Sequence, residues 1–162
     1  MGDLKSKRLW WLLISLVLII ADQITKTIAF VRLSDGDNIT VLPVLNFTLA
    51  FNQGAAFSFL SHAGGWQNLF FIILAVVVTA CLVIYILKNN SRLQCFGLSM
   101  IIAGALGNVV DRLHYGFVID FIDVHIGLYH WPVFNLADSA ITTGVIILLI
   151  GYFFKSEARS KE

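Results

Sequence analysis

Four stretches of mostly apolar residues alternate with more polar segments along the 162-residue chain. A helix needs about 20 apolar residues to cross a membrane, with roughly 17 to 25 tolerated. The pattern therefore predicts four transmembrane helices, at about 9–29, 67–87, 96–112 and 136–154. The third and fourth stretches are short. Polar residues follow the third and precede the fourth, and both polar segments lie at the same membrane surface.

The segment between the first two predicted helices, at about 30–66, is not apolar throughout. Between 45 and 51, apolar residues alternate with more polar ones, which is typical of a strand with one apolar face. Phe57 and Phe59 continue this period of two after an interruption at Gly54. We therefore expect a small β-sheet lying on the membrane surface, with a second segment outside the membrane at about 113–135.

Composition supports a membrane protein. Hydrophobic residues make up 58% of the chain and charged residues only 13%, whereas soluble domains carry about a quarter charged residues. The net charge of +1 gives no reason to expect binding to nucleic acid. No internal repeat is visible, so we expect one integral-membrane domain over 1–162.

The distribution of lysine and arginine predicts the orientation. Most of these residues lie on one side of the predicted bundle, namely Lys5, Lys7, Arg8, Lys88, Arg92, Lys155, Arg159 and Lys161. The other side holds only Arg32, with Lys26 and Arg112 near the membrane. By the positive-inside rule both termini are cytoplasmic, and 30–66 and 113–135 lie on the far side.

Asp120 and Asp138 are the first candidates for chemistry. Ionisable groups placed next to apolar membrane segments are costly and are therefore functional candidates by default. Two carboxylates that share a proton and a water are sufficient for acid–base hydrolysis without a metal or cofactor. Large apolar residues flank Asp120, so desolvation should raise the pKa of its side chain. The alternative is a loop aspartate in water, although Asp123, near His125, is the more plausible solvated residue.

Asp138 falls in the first turn of the fourth predicted helix. There the helix dipole favours negative charge, and an aspartate often serves only as a cap. Asn135 offers an alternative cap, which would leave the Asp138 side chain free to face inward. Both interpretations stay open at this level.

The end of the third helix adds a polar group. Asn108, Asp111 and Arg112 are spaced to share one helical face, which favours a positioned network. The alternative for Arg112 is a side chain that reaches the headgroups with Asp111 as its partner. Asn52 and Gly54 follow the predicted strand, and the glycine indicates close backbone approach, for example to a bound peptide.

Other candidates are weaker. Asp22 and Lys26 have the favourable i, i+4 order on the first helix, and we favour a structural ion pair over direct chemistry. No HExxH, CxxC or Gly-x-Ser-x-Gly pattern occurs, so neither a metal site nor a serine nucleophile is expected. Cys81 and Cys95 receive no role.

Five sequence blocks carry a resemblance to a known family. They are Asp-Gln-x-x-Lys at 22–26, Phe-Asn-x-Gly-Ala-Ala-Phe at 51–57, Gly-Asn-x-x-Asp-Arg at 107–112, Gly-Phe-Val-x-Asp-Phe at 116–121 and Phe-Asn-x-Ala-Asp at 134–138. In this order, over nearly the whole chain, they resemble the lipoprotein signal peptidases, also called signal peptidase II.

The resemblance implies an aspartic peptidase of the bacterial inner membrane, with its active site facing the periplasm. Such enzymes cleave the signal peptide from prolipoproteins just before a Cys that carries diacylglycerol, and their periplasmic sheet cradles this substrate. By position, Asp120 and Asp138 become the catalytic dyad. The surrounding site residues are Asn52, Gly54, Asn108, Asp111, Arg112 and Asn135. Asp22 and Lys26 match a block with a structural role.

The resemblance implies prolipoproteins and membrane lipid as partners, and neither cofactor nor metal; we expect a monomer. From local environment we expect Asp138 to be the ionised acid and Asp120 the protonated one. The alternative function is a proton-coupled transporter or channel subunit that uses Asp22, Asp120 and Asp138 as a relay. Only the first helix carries ionisable residues well inside the membrane, which weakens that alternative. A third possibility is a small assembly factor without chemistry.

Overall fold

A computed structural model describes residues 2–54, 65–88 and 91–159, with the side chains of 9–54, 65–88 and 91–153. Most of the described chain is helical. The helices are α1 (Gly2–Leu33), α2 (Trp66–Lys88), α3 (Arg92–Tyr115) and α4 (Leu136–Arg159). Each is long and apolar enough to cross a membrane, which confirms the prediction of four membrane helices.

Local sequence signals explain where helix α3 begins and ends. The side chain of Ser91 accepts a hydrogen bond from the Gln94 N–H at the start of the helix. At the other end, Gly116 takes a left-handed conformation (φ 80°), and its N–H donates to the Arg112 carbonyl. Helix α3 is therefore longer than the predicted 96–112, and it reaches the site with its last two turns.

Helix α3 packs against the other three helices and approaches α4 most closely. Glycines at the contact allow this approach, because a Cβ on Gly104 would collide with the Ala137 carbonyl oxygen of α4. A Cβ on Gly107 would lie 2.7 Å from a carboxylate oxygen of Asp22 on α1. The end of α3 is thus fitted tightly between α1 and the start of α4.

The strands form one antiparallel sheet in the order β1-β2-β3-β4. They are β1 (Ile39–Leu42), β2 (Leu45–Asn52), β3 (Val118–Ile126) and β4 (Tyr129–His130). Strand β2 confirms the strand predicted at 45–51, whereas Phe57 and Phe59 lie outside the described residues.

Only two residues separate α3 from strand β3, which pairs with β2 and places Asp120 opposite Ala50. Asp120 therefore lies in a strand and is 2% exposed, so the alternative of a loop aspartate in water is wrong.

The sheet packs on the end of α1. Ala29 and Leu33 of α1 are buried against Phe121 of β3, with Phe47 of β2 beside them. This contact explains why α1 continues to Leu33, beyond the predicted end near residue 29, because the last turn buries apolar side chains under the sheet.

Asp123 corrects an expectation from the sequence. Its side chain is 3% exposed, and its carboxylate oxygens lie 2.8 and 3.0 Å from His130 Nδ1. Asn46, its partner across the β2–β3 pair, donates a further bond at 3.4 Å. Strand pairing and the neighbouring imidazole therefore remove Asp123 from water.

Candidate active site

Asp120 and Asp138 reach the same cavity from different elements. The segment before α4 is joined to β3 at Phe134, whose carbonyl accepts the Phe121 and Ile122 N–H groups at 3.0 and 2.8 Å. The Phe134 N–H donates back to the Ile122 carbonyl at 3.1 Å. This junction places the first turn of α4 beside Asp120.

The cavity has a volume of about 820 Å³. The predicted site residues that line it are Asn52, Gly54, Asn108, Arg112, Asp120 and Asp138. Asn135 and Asp111 are fully buried behind these residues. The structure thus brings together all the predicted site residues, in the cavity wall and directly behind it.

Asn135 links the two acids. Its side-chain oxygen accepts the Asp138 N–H at 2.9 Å, so Asn135 caps α4. Its Nδ2 is then turned toward Asp120 and donates to Oδ1 at 2.6 Å. One carboxylate oxygen of Asp138 accepts the Asn135 N–H at 3.3 Å, as in a capping box. Asp138 therefore takes part in the cap and also lines the cavity.

Asn108 supplies the second amide to the site. Its Nδ2 donates to Asp138 Oδ1 at 2.9 Å. Its Oδ1 accepts from Lys26 Nζ at 2.9 Å and from Asn135 Nδ2 at 3.2 Å. Because two donors face the oxygen, the amide can present only its N–H groups to Asp138.

Lys26 lies at the centre of a buried charge network behind the cavity. Its ammonium is 2.9 Å from Asp22 Oδ2 and 2.9 Å from Asp111 Oδ2. Asp111 also accepts the Ile119 N–H at 3.1 Å and so holds the start of β3. Asp111 is therefore bound to Lys26 and β3, and among the described residues it forms no salt bridge with Arg112.

Gln23 belongs to the same network and was assigned no role from the sequence. Its Nε2 donates to Asp111 Oδ1 at 2.8 Å and to the Gly107 carbonyl at 3.1 Å. Its position inside the Asp-Gln-x-x-Lys block, next to Asp22, was the available signal.

Arg112 points into the cavity and not toward headgroups. Its Nη2 donates to the Gly54 carbonyl at 2.8 Å, and its guanidinium lies 5.2 Å from the centre of the Phe71 ring. Asn52 shapes the same loop, because its Oδ1 accepts the Gly54 N–H at 3.0 Å. The Asn52 Nδ2 donates to Asp120 Oδ2 at 3.1 Å.

These features agree with what comparisons with known proteins show. The family model for Signal peptidase (SPase) II matches residues 14–154. The chain belongs to the signal peptidase II family. A lipoprotein signal peptidase from Acinetobacter baumannii is 48% identical over 153 residues, which cover 93% of this chain and 87% of the relative. One from Burkholderia mallei is 49% identical over 141 residues, which cover 86% of this chain and 84% of that relative.

Two solved structures share the fold, and each is described as a bacterial membrane enzyme determined by the in meso method. The first has a TM-score of 0.84 at 35% identity and covers 94% of this chain and 92% of its own. The second has a TM-score of 0.76 at 38% identity, and the match covers 88% of this chain and 91% of the solved chain. The chain is thus a multi-pass membrane peptidase of the signal peptidase II family, which favours hydrolysis over the transporter alternative.

Within this cavity, Asp120 is electrostatically unusual. The pKa of its carboxyl is raised from 3.8 to about 7, first by burial and second by the nearby charge of Asp138. Hydrogen bonds from Asn52 and Asn135 oppose this shift by stabilising the carboxylate. A carboxyl with this pKa can donate or accept a proton near neutral pH.

Proposed function

We propose that the chain removes signal peptides from diacylglyceryl-modified prolipoproteins by cutting just before the lipidated Cys, with Asp120 and Asp138 as the catalytic dyad. The observation that carries the proposal is the arrangement of the two acids on one cavity wall. Each of the four carboxylate oxygens accepts one N–H, from Asn52, Asn108 or Asn135. These donors hold the carboxyl groups in fixed orientations toward the cavity.

The proposed reaction uses the acids in different protonation states. Ionised Asp138 takes a proton from a water molecule, whose oxygen attacks the scissile carbonyl carbon. Protonated Asp120 gives its proton to the carbonyl oxygen as the tetrahedral intermediate forms. When this intermediate collapses, the proton on Asp138 passes to the leaving amine, and Asp120 recovers its proton from the intermediate's hydroxyl.

The surroundings support this assignment of roles. Asp138 lies at the N-terminus of α4, where the helix dipole favours a negative charge, and accepts N–H donors on both oxygens. The pKa of Asp120, raised by burial to about 7, favours its protonated form. Because like charges at close range disfavour each other, one shared proton is the expected resting state of the pair.

We infer that the site faces the periplasm from the inner membrane. The dyad lies where α3 ends and α4 begins, at the opposite end of those helices from Arg92, Lys155 and Arg159. The positive-inside rule places that basic end in the cytoplasm. The sheet would then lie at the outer surface, where the lipidated end of the substrate arrives.

The loop at Asn52 and Gly54 supports a peptide substrate. Arg112 and Asn52 hold this loop from both sides, through the Gly54 carbonyl and N–H respectively. The loop lines the cavity beside Asp120, so its backbone is within reach of an extended peptide there. The lipid chains would leave the cavity into the bilayer, which agrees with membrane lipid as a partner and requires no second subunit.

The test is cleavage of a purified lipidated precursor by the wild type and by Asp120→Asn and Asp138→Asn in detergent or nanodiscs. Each substitution keeps the side-chain shape, and we expect each to abolish cleavage while the protein stays inserted and folded. Asp37→Asn, at an exposed position between α1 and β1, is the matched control and should cleave as the wild type does. Full turnover by either dyad variant would remove that residue from the dyad.

A further inference from the structure

The cavity continues beyond the dyad along helix α4. Besides Asp138, its wall includes Thr142 and Thr143, which lie one turn deeper into the predicted membrane span. At about 1.5 Å per residue, Thr142 is roughly 6 Å farther along the helix axis than Asp138. The site therefore has a polar extension on the side that faces the bilayer interior.

These two hydroxyl groups stand out from the rest of the exposed α4 surface. Both threonines are exposed, and the other large exposed residues of α4 among the described side chains are Val145, Ile146, Leu149, Ile150, Tyr152 and Phe153. A lipid-facing helix surface at this depth is normally apolar, since nothing in the hydrocarbon core can accept a hydrogen bond. A hydroxyl at this position is favourable only when it has a hydrogen-bond partner, either in its own helix or in the cavity.

Most other hydroxyls in the helices have a partner. Donors to main-chain carbonyls are Ser15, Thr25, Thr27, Ser99 and Ser139, at 2.7 to 3.0 Å. Thr79, buried in α2, lacks a partner but lies outside the cavity. In the part of the chain that the structure describes, the side-chain hydroxyls of Thr142 and Thr143 also lack a hydrogen bond. Unlike Thr79, both residues line the cavity.

We propose that the Thr142 and Thr143 hydroxyls donate hydrogen bonds to main-chain carbonyl oxygens of the signal peptide, in the residues that precede the scissile bond. This inference rests on the proposed function. A membrane-spanning signal peptide ends in a helical turn whose last four carbonyls have no partner within the helix. Unpaired carbonyls in hydrocarbon are costly, and extending the peptide across the dyad frees still more of them.

The depth of the two threonines selects the peptide over the lipid as the source of these carbonyls. The signal peptide rises through the bilayer and enters the cavity from below Asp138, where Thr142 and Thr143 lie. The ester carbonyls of the diacylglyceryl group are attached beyond the scissile bond, on the Cys that remains with the product. The residues before the cut are therefore the nearest acceptors.

The test replaces both hydroxyls and measures substrate binding separately from turnover. Thr142→Val with Thr143→Val keeps the shape of the side chains, and we expect roughly a tenfold rise in KM with kcat nearly unchanged. The same substitutions in the Asp120→Asn background should weaken equilibrium binding of the lipidated precursor by a similar factor. Thr142→Ser with Thr143→Ser should restore wild-type KM. Thr27→Val is the control, since that hydroxyl lies on α1 outside the cavity and bonds its own helix.

A precursor with ether-linked alkyl chains identifies the acceptor, because it lacks the ester carbonyls. The two valine substitutions together should weaken binding of the ether-linked precursor as much as binding of the ester-linked precursor. If only the ester-linked precursor binds more weakly, the proposal is overturned. Wild-type KM in the valine pair would overturn it as well, while absence of cleavage by the wild type would instead contradict the proposed function. If the double valine variant fails to fold, the double alanine variant (Thr142→Ala with Thr143→Ala) replaces it. Its KM and its binding of the precursor are then compared with those of the double serine variant, and the same outcomes support or overturn the proposal.

Discussion

The ammonium of Lys26 and the side-chain oxygen of Asn108 lie 2.9 Å apart, in contact across α1 and α3. This contact decides which way the Asn108 amide faces, because an ammonium can only donate and must therefore meet the oxygen. The nitrogen is left to face Asp138. Lys26, which lies outside the cavity wall, thus determines that Asn108 offers Asp138 an N–H donor and not its oxygen.

The first prediction concerns the loss of this ammonium. Lys26→Met leaves the buried Asp22 and Asp111 carboxylates without their cation, and breaking a buried ion pair in this way destabilises proteins by about 3–5 kcal/mol. We expect a lower free energy of unfolding in detergent and a lower kcat, since the Asn108 amide loses its fixed orientation. Lys88→Met, at an exposed position at the end of α2, should change neither quantity. Equal stability of the two variants would contradict a supporting role for Lys26.

The second prediction concerns pH and activity. If protonated Asp120 is the acid, cleavage should fall as the pH rises through about 7, the value to which burial raises the pKa of Asp120. Asn52→Ala removes an N–H that stabilises the carboxylate, so the pKa of Asp120 should rise further. The descending limb of the pH–rate profile should then move to higher pH. A shift to lower pH, or no shift, would remove Asp120 as the acid.

The third prediction concerns the pH dependence of stability, which also follows from the raised pKa of Asp120. The folded protein binds a proton at Asp120 more tightly than the unfolded chain, whose carboxyl has the ordinary pKa of 3.8. This contribution to stability is fully present below pH 3.8 and is lost as the pH rises through about 7. Asp120→Asn cannot ionise, so its stability relative to the wild type should be greater at pH 8 than at pH 5. Denaturant unfolding at the two pH values measures the difference.

Parts of the fold and site follow from sequence because they depend on neighbouring residues. Four apolar runs predict the helices, and the sequence offered both Asn135 and Asp138 as the cap of the fourth helix without deciding between them. Strand β3 was harder to find, since apolar residues occupy both of its faces at 118–122 and remove the period of two. Such a run is typical of any buried segment.

Other parts depend on residues that are far apart in the chain. The burial of Asp123 results from pairing with Asn46, which lies 77 positions away, and from the His130 ring. The bond from Lys26 to Asn108 spans 82 positions. Neither contact has a local signal. The sequence therefore singled out Lys26 and Asn108 without indicating that they bond each other, and it predicted Asp123 to be in water.

The fourth prediction concerns Arg112. Arg112→Lys keeps the charge but loses the planar group that bonds the Gly54 carbonyl while lying over Phe71. A hydrogen bond to a charged group contributes about 1.5–3 kcal/mol, so kcat/KM should fall about tenfold or more if the Gly54 loop positions the substrate. Arg92→Lys, at the exposed start of the same helix, is the control and should retain wild-type kinetics. Retention of full activity by Arg112→Lys would show that charge alone suffices.

The last prediction tests whether the close contact between α3 and α4 positions the dyad. A Cβ added at Gly104 meets the carbonyl of Ala137, the residue before Asp138, and a main-chain atom in a helix cannot turn aside as a side chain can. Gly104→Ala should therefore push the start of α4 away from α3, with a loss of about 1–3 kcal/mol in stability. The Asn108 to Asp138 bond should lengthen at the same time, so cleavage should fall more than the stability loss explains.

Gly151→Ala is the matched control, because it lies farther along α4, where a new Cβ meets only the end of the Leu93 side chain at 3.3 Å. That side chain can rotate, and alanine favours the helix over glycine by about 1 kcal/mol, so this variant should be as stable as the wild type or more so. Unfolding in detergent and cleavage of the lipidated precursor are measured for both variants. Equal behaviour would mean that α4 tolerates displacement at Ala137, and Asp138 would then owe its position to Asn108 and Asn135 alone.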